Sequence, residues 1–157
     1  SLESVFTPGH CSNHMAFALN EERTVFCGDH VMAWSTSVIA PPDGHMADYF
    51  SSLRTLMARD QDRLYLPGHG PAKQNPQRFA RAFLTHRQMR EKAVLQHIAS
   101  GEHTIMGVVK KVYAGISPRL HAAAALSTLA HVEHLIEQNL VRAHGDLSLE
   151  TDYEAVS

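Results

Sequence analysis

Phe26-Cys27-Gly28-Asp29-His30 decides how this chain is read. A brief apolar run stops at a glycine and presents a carboxylate and an imidazole. Glycine lets the backbone turn sharply and approach a ligand closely. Two other stretches share the design. Upstream is Thr7-Pro8-Gly9-His10-Cys11-Ser12-Asn13-His14, and downstream is Leu64-Tyr65-Leu66-Pro67-Gly68-His69-Gly70-Pro71. Imidazole nitrogen and carboxylate oxygen suit zinc, manganese or iron. An aspartate can bridge two cations with its two oxygens. His10, Asp29 and His69 at strand ends are therefore expected to converge at one rim of a sheet.

The surrounding residues supply the elements. Residues 2–6 alternate enough for a short strand, and Met15–Leu19 and Thr24–Cys27 read as two more, joined through Asn20-Glu21-Glu22-Arg23. Met46, Tyr49, Phe50, Leu53, Leu56 and Met57 recur at three and four residues, which predicts an amphipathic helix. Leu64-Tyr65-Leu66 is a short buried strand. Asn75-Pro76 starts a long helix to about Ala99, with Phe79, Phe83, Val94 and Ile98 as its apolar side. Thr104 caps a helix carrying Ile105, Val108, Val109 and Val112. Ser117-Pro118 opens a helical stretch to about Asn139, expected to break near Leu126–Ser127. Residues 141–156 read as a hairpin. Helix, helix, helix, hairpin is the order of a winged helix.

Taken together, the three turn motifs resemble the C-terminal half of a metallo-β-lactamase-fold hydrolase. Thr85-His86-Arg87 through Arg90-Glu91, with the tail to Val156, is similar to the β-lactamase-like protein 2 subgroup, which carries a winged-helix-like C-terminal domain. The resemblance implies an α/β fold: the second half of an αββα sandwich over residues 1–75, a basic connecting helix over 76–100 and a winged-helix-like tail over 101–157. It implies His10 as a ligand of the first metal, Asp29 as the bridging, catalytic carboxylate, and His69 as a ligand of the second metal. It implies two zinc ions, with manganese or iron as alternatives. These would make a bridging water acidic enough to attack an ester, thioester or phosphodiester. Cys11 stands where the family usually has threonine or serine, and His45 where related sequences often have an acid. The signature H-x-H-x-D-H occurs nowhere in the 157 residues. The metal site is therefore expected to be incomplete, and the chain, which begins with Ser1, to be a fragment inactive by itself.

Other residues carry weaker signals. His14 is a candidate for a supporting position beside the metals or an ordinary strand residue. His30 is a candidate for substrate or second-metal contact. Cys11 beside His10 is a poor nucleophile pair, because adjacent residues on a strand end point apart. Trp34-Ser35-Thr36-Ser37 either lines the substrate mouth or packs a loop. His131 and His134 share a helix face without an evident third ligand and read as surface or partly buried.

Composition narrows the classes. Apolar residues at 44% and charged residues at 19% favour a packed core over disorder. No apolar run reaches the roughly 20 residues of a membrane span, and no signal peptide opens the chain. Two cysteines suit a reducing, cytoplasmic setting. The net charge of −2 hides a division. Residues 1–70 carry 4 Lys/Arg against 8 Asp/Glu, whereas 71–99 carry six cations against Glu91 alone. Within that stripe Arg78, Arg81, Arg87 and Arg90 are candidates for an anionic partner. The expected partners are a small ester or thioester, or single-stranded RNA, together with the missing N-terminal half or a second copy of the chain. A non-catalytic module binding nucleic acid or protein through the winged helix and basic helix is the alternative. Against DNA reading, residues 118–140 hold Arg119 as their sole Lys or Arg, opposed by Glu133 and Glu137.

Overall fold

The computed structural model describes residues 1–156. It divides into two compact units, Ser1–His86 and Arg87–Ser157. The stretch expected as a separate connecting helix is shared between them. Residue 157, the end of the expected winged-helix span, lies outside the described residues.

The first unit is built on a five-stranded sheet in the order β1-β2-β3-β4-β5. The strands are β1 (Leu2–Phe6), β2 (Met15–Leu19), β3 (Thr24–Gly28), β4 (Leu64–Pro67) and β5 (Lys73–Gln74). Strand β2 runs antiparallel to both β1 and β3, β3 pairs parallel with β4, and β4 antiparallel with β5. A parallel pair needs a crossover, and helix α1 (Met46–Ala58) lies within it. The consequence is directional: β1, β3 and β4 all point the same way, so their C-terminal ends share one edge. Those ends lead into Thr7–His10, Asp29 and His69.

Period-two alternation splits the sheet into two faces. Val5 pairs with Ala16, Ala18 with Val25, and Val25 with Tyr65, and all are buried. Tyr49, Phe50, Leu53 and Leu56 of α1 are buried too, and the Tyr65 hydroxyl donates to the Leu56 carbonyl at 3.2 Å. The opposite face carries Leu2, Phe6, Phe17 and Phe26, all exposed, with Phe17 directly opposite Phe26. Burying a large apolar side chain contributes about 1.5–3 kcal/mol. Four left open on one sheet face therefore form an apolar surface of the kind that another layer covers.

Helix α2 (Pro76–Ala99) starts at the Asn75-Pro76 signal and ends at Ala99, as expected. Its packing differs from expectation. Ala80, Leu84, Arg87, Val94 and Ile98 are buried, whereas Phe79 and Phe83 are only partly so.

The second unit packs the C-terminal part of α2 with α3 (Ile105–Val112), α4 (His121–Glu137) and the antiparallel pair β6 (Val141–Ala143) and β7 (Tyr153–Ala155). Its core joins Val94, Ile98, Ile105, Val108, Leu129, Leu135 and Tyr153. Thr104 caps α3 by accepting the Gly107 N–H at 3.1 Å. The expected break near Leu126–Ser127 is corrected. A 3-10 turn, Pro118–Leu120, precedes an uninterrupted α4, so the break falls where proline fixes the first turn.

His131 also departs from expectation, being fully buried. Its Nδ1 lies 3.2 Å from Glu91 Oε2, and His134 Nδ1 lies 2.8 Å from the same oxygen. Burial holds His131 below the ordinary histidine range, against the opposing pull of Glu91. Burial raises Glu91, but hydrogen bonds from His131 and His134 overcome it and leave the carboxyl below its usual range. Among the described residues, no helix is long and apolar enough to cross a membrane.

Two outcomes follow from these packings. Phe17→Ser with Phe26→Ser should lower binding of an apolar dye and self-association in sedimentation, while the circular-dichroism spectrum is retained. Second, the unfolded chain takes up a proton on His131 near pH 6.5 and the folded chain at lower pH. That contribution is complete above about pH 6.5 and is lost as pH falls through the folded value. The depressed Glu91 has the same sign at lower pH. Thermal melts should therefore weaken from pH 7.5 to pH 5, and His131→Gln should flatten the profile; a melting temperature that rises on acidification would contradict the assignment.

Candidate metal centre

Three loops meet at the edge where β1, β3 and β4 end. The register of the parallel pair shifts between Phe26 and Gly28, and Gly68 N–H donates to the Gly28 carbonyl at 2.8 Å. This fixes Asp29 and His69 side by side. His69 Nε2 lies 3.4 Å from Asp29 Oδ1, and His10 Nε2 lies 3.9 Å from Asp29 Oδ2. One carboxylate thus turns a separate oxygen to each imidazole.

The supports explain the orientation. His10 Nδ1 lies 2.5 Å from the Val38 carbonyl. A carbonyl can only accept, so Nδ1 carries the proton and Nε2 presents its lone pair toward Asp29. The other side of the His10 turn is held by His45 N–H, which donates to the Gly9 carbonyl at 2.8 Å. Ser37 Oγ donates to the Asp29 carbonyl, and to the His30 carbonyl at 2.8 Å. Gly68 is required by space: a Cβ there would fall 2.6 Å from Asp29 Oδ1.

The residues fit a cation. Asp29 Oδ1 is buried with no hydrogen bond. With Nδ1 turned to Val38, His10 aims its Nε2 at Asp29 Oδ2, so an imidazole nitrogen and a carboxylate oxygen face one another. Separations of 3.4 and 3.9 Å lie within the span of two ligands bound to one zinc-like ion at about 2.0–2.2 Å each. Among the described residues, no three His, Cys, Asp or Glu side chains close around a single point. The three candidate residues divide instead into two pairs sharing Asp29.

The other expected residues lie around this edge or away from it. His14 is half-buried, its Nδ1 2.8 Å from Thr7 Oγ1 and 3.1 Å from the Thr7 carbonyl. Its ring is 6.4 Å from that of His10 and 5.6 Å from that of His30. Burial is the main influence lowering its pKa. His30 is fully buried, its ring 4.5 Å from Tyr49, with both ring nitrogens lacking hydrogen bonds. Burial, helped by His14 and His10, pulls it down to about 3 and keeps it neutral. It stands behind the site. Cys27 is buried and its thiol is pushed up to about 12 by desolvation, so it is inert.

The basic stripe divides. Arg78 and Arg81 are exposed. Arg87 is buried and donates to Ser127 Oγ at 2.7 Å, and Arg90 donates to the Val112 carbonyl at 2.8 Å while stacking over Tyr113. These last two are engaged inside the second unit and do not form an anion-facing surface. Arg78 instead lines an open groove of about 500 Å³ with Gln74, Asn75, Phe79 and Ala82, and Lys73 Nζ stands 4.9 Å over the Phe79 ring. The Val38 carbonyl is a support that sequence reasoning did not single out, whereas Ser37 belongs to the stretch expected to line the substrate mouth or pack a loop, and its hydroxyl ties the loop. A backbone carbonyl leaves no signal in a sequence.

Residues 1–69 match the model of the Metallo-beta-lactamase superfamily. Residues 1–69 belong to the metallo-β-lactamase superfamily. Residues 104–151 match the beta-lactamase associated winged helix domain. Beta-lactamase-like protein 2 homolog of Caenorhabditis elegans is 34% identical over 130 residues, 82% of this chain and 42% of that protein. Atrochrysone carboxyl ACP thioesterase of Aspergillus fumigatus is 33% identical over 108 residues, 67% of this chain and 33% of that protein. A crystal structure of a metallo-β-lactamase family protein from Thermus thermophilus superposes with a TM-score of 0.83 at 24% identity, covering 99% of this chain and 49% of that one. That likeness shows the fold. The chain spans between a third and a half of the length of these superfamily relatives.

Gly68→Ala should displace the Asp29 carboxylate while the sheet core stays intact. Zinc binding measured against a chromophoric chelator is expected to weaken by about tenfold or more, with little change in the far-ultraviolet circular dichroism.

Proposed function

We propose that this chain contributes His10, Asp29 and His69 to a two-metal hydrolase acting on thioesters or esters. The carrying observation is the shared carboxylate: Asp29 turns Oδ2 to His10 and Oδ1 to His69. When bound, zinc, or manganese or iron in its place, would supply Lewis acidity toward water and a substrate oxygen. The chain's own residues do the positioning. The Val38 carbonyl fixes the His10 tautomer, Ser37 anchors the Asp29 backbone, and exposed His69 stays open to the approach of substrate. Neutral, buried His30 keeps the floor of the site free of competing charge.

The relative named as an acyl-carrier-protein thioesterase supports the thioester class. The 157 residues hold no H-x-H-x-D-H, so we expect weak metal binding and no turnover from them alone. The apolar outer face of β1, β2 and β3 is proposed to be covered in the active protein by the other sheet of the sandwich, with a second copy of the chain as the alternative.

A second substrate reading rests on the Lys73, Arg78 and Phe79 groove, which combines cations with an aromatic face as single-stranded RNA binding requires. A purely nucleic-acid-binding winged helix is disfavoured, because α4 contains no Lys or Arg and carries Glu133 and Glu137.

Titration with zinc should show weak binding that Asp29→Asn reduces by more than about tenfold. Joined to a segment bearing H-x-H-x-D-H, the chain should hydrolyse an acyl thioester in the presence of zinc or manganese, and Asp29→Asn should abolish it. Cleavage of single-stranded RNA without thioester hydrolysis would transfer the function to the second reading. Silence on both substrates would overturn the enzyme.

A further inference from the structure

The chain has one tryptophan, and it is 78% exposed at the rim of the metal edge. One exposed aromatic is ordinary by itself; what marks this one is how it is held. Trp34 is held at this position. Ala33 N–H donates to the His69 carbonyl at 3.2 Å, and four residues further on Ser37 is tied to the Asp29 and His30 carbonyls. The indole lies with its nitrogen-bearing edge against Gly70. A Cβ at Gly70 would fall 3.1 Å from both Trp34 Nε1 and Cε2, and 2.4 Å from Ala33 Cβ, and Gly70 adopts φ +94°. Only glycine at that position lets the ring settle beside the His69 backbone.

We propose that Trp34 is a substrate-binding platform that stacks on a planar, uncharged aromatic ring in the acyl part of a thioester or ester. This deepens the hydrolase reading and rests on it. The placement sets the geometry: the indole lies against Gly70, which directly follows His69, whose imidazole faces Asp29 Oδ1. Charge selects the class of ring. Carboxylates stand on the loops of this edge beside its imidazoles: Asp29 itself, Asp43, which accepts from Ser12 N–H at 3.2 Å, and Asp48, 2.9 Å from His45. Asp43 and Asp48 disfavour a negatively charged ring and leave room for a neutral one. Offset stacking between aromatic rings adds specificity beyond area burial.

Because Trp34 is the sole tryptophan, its emission reports directly on the platform. The probes are the benzoyl thioester of N-acetylcysteamine, the acetyl thioester of the same thiol, and adenosine monophosphate, each added to the 157-residue chain. Saturable quenching by the benzoyl compound and none by the acetyl compound is expected. In calorimetry, Trp34→Ala should weaken benzoyl binding about three- to tenfold, Trp34→Phe should restore most of it, and neither should alter zinc affinity. Equal response to the acetyl and benzoyl compounds, or no quenching by either, would overturn the platform. Stronger quenching by adenosine monophosphate would overturn the acyl assignment in favour of a nucleobase. Binding without hydrolysis in the joined protein would leave the platform standing and remove the hydrolase. Hydrolysis that is indifferent to the acyl ring and to Trp34 would do the reverse.

Discussion

The parallel pairing of β3 with β4 is the constraint on which the site depends. Antiparallel neighbours would have put Asp29 and His69 at opposite edges of the sheet. Parallel pairing, closed at its end by the Gly68 N–H to Gly28 carbonyl bond, puts them within 3.4 Å. The same pairing demands a crossover, and the crossover contains both α1 and the loop that carries Val38 to His10. Core packing, ligand orientation and the placement of Trp34 are therefore different results of one strand arrangement.

Much of this was legible in the residues. Glycine turns after apolar runs mark strand ends, and metal-capable side chains immediately after them mark a rim. Helix α1 was legible because its apolar residues recur at helical spacing, and α3 because Thr104 is an unambiguous cap. What failed to show were features that depend on a distant partner. Arg87 is buried because Ser127 meets it, and His131 because Glu91 does. Neither sequence neighbourhood announces that. The run of alanines at the start of α4 has little contrast between faces, so its periodicity gave no reason to prefer Pro118–Leu120 as the break. Phe79 and Phe83 look like core by hydropathy, yet smaller Ala80 and Leu84 occupy the buried positions.

The two units use polar burial differently. In the first, buried polar groups anchor a functional edge: Ser37, Tyr49 and His30 surround the Asp29 loop. In the second, Arg87, Glu91, Ser127 and His131 form a polar strip inside a helical core, with no metal-capable arrangement beside it among the described residues. Such strips contribute less to net stability than to the choice of one packing among several.

His10, Asp29 and His69 are separated by 19 and 40 positions in the sequence, and only the folded sheet brings them together. An unfolded chain offers a cation isolated side chains. Any metal held at this edge would consequently favour the ordered sheet by mass action, with a strength set by free metal concentration. Strand order and ion capture would then be two measures of one equilibrium, and a chelator would act on this protein as a mild denaturant.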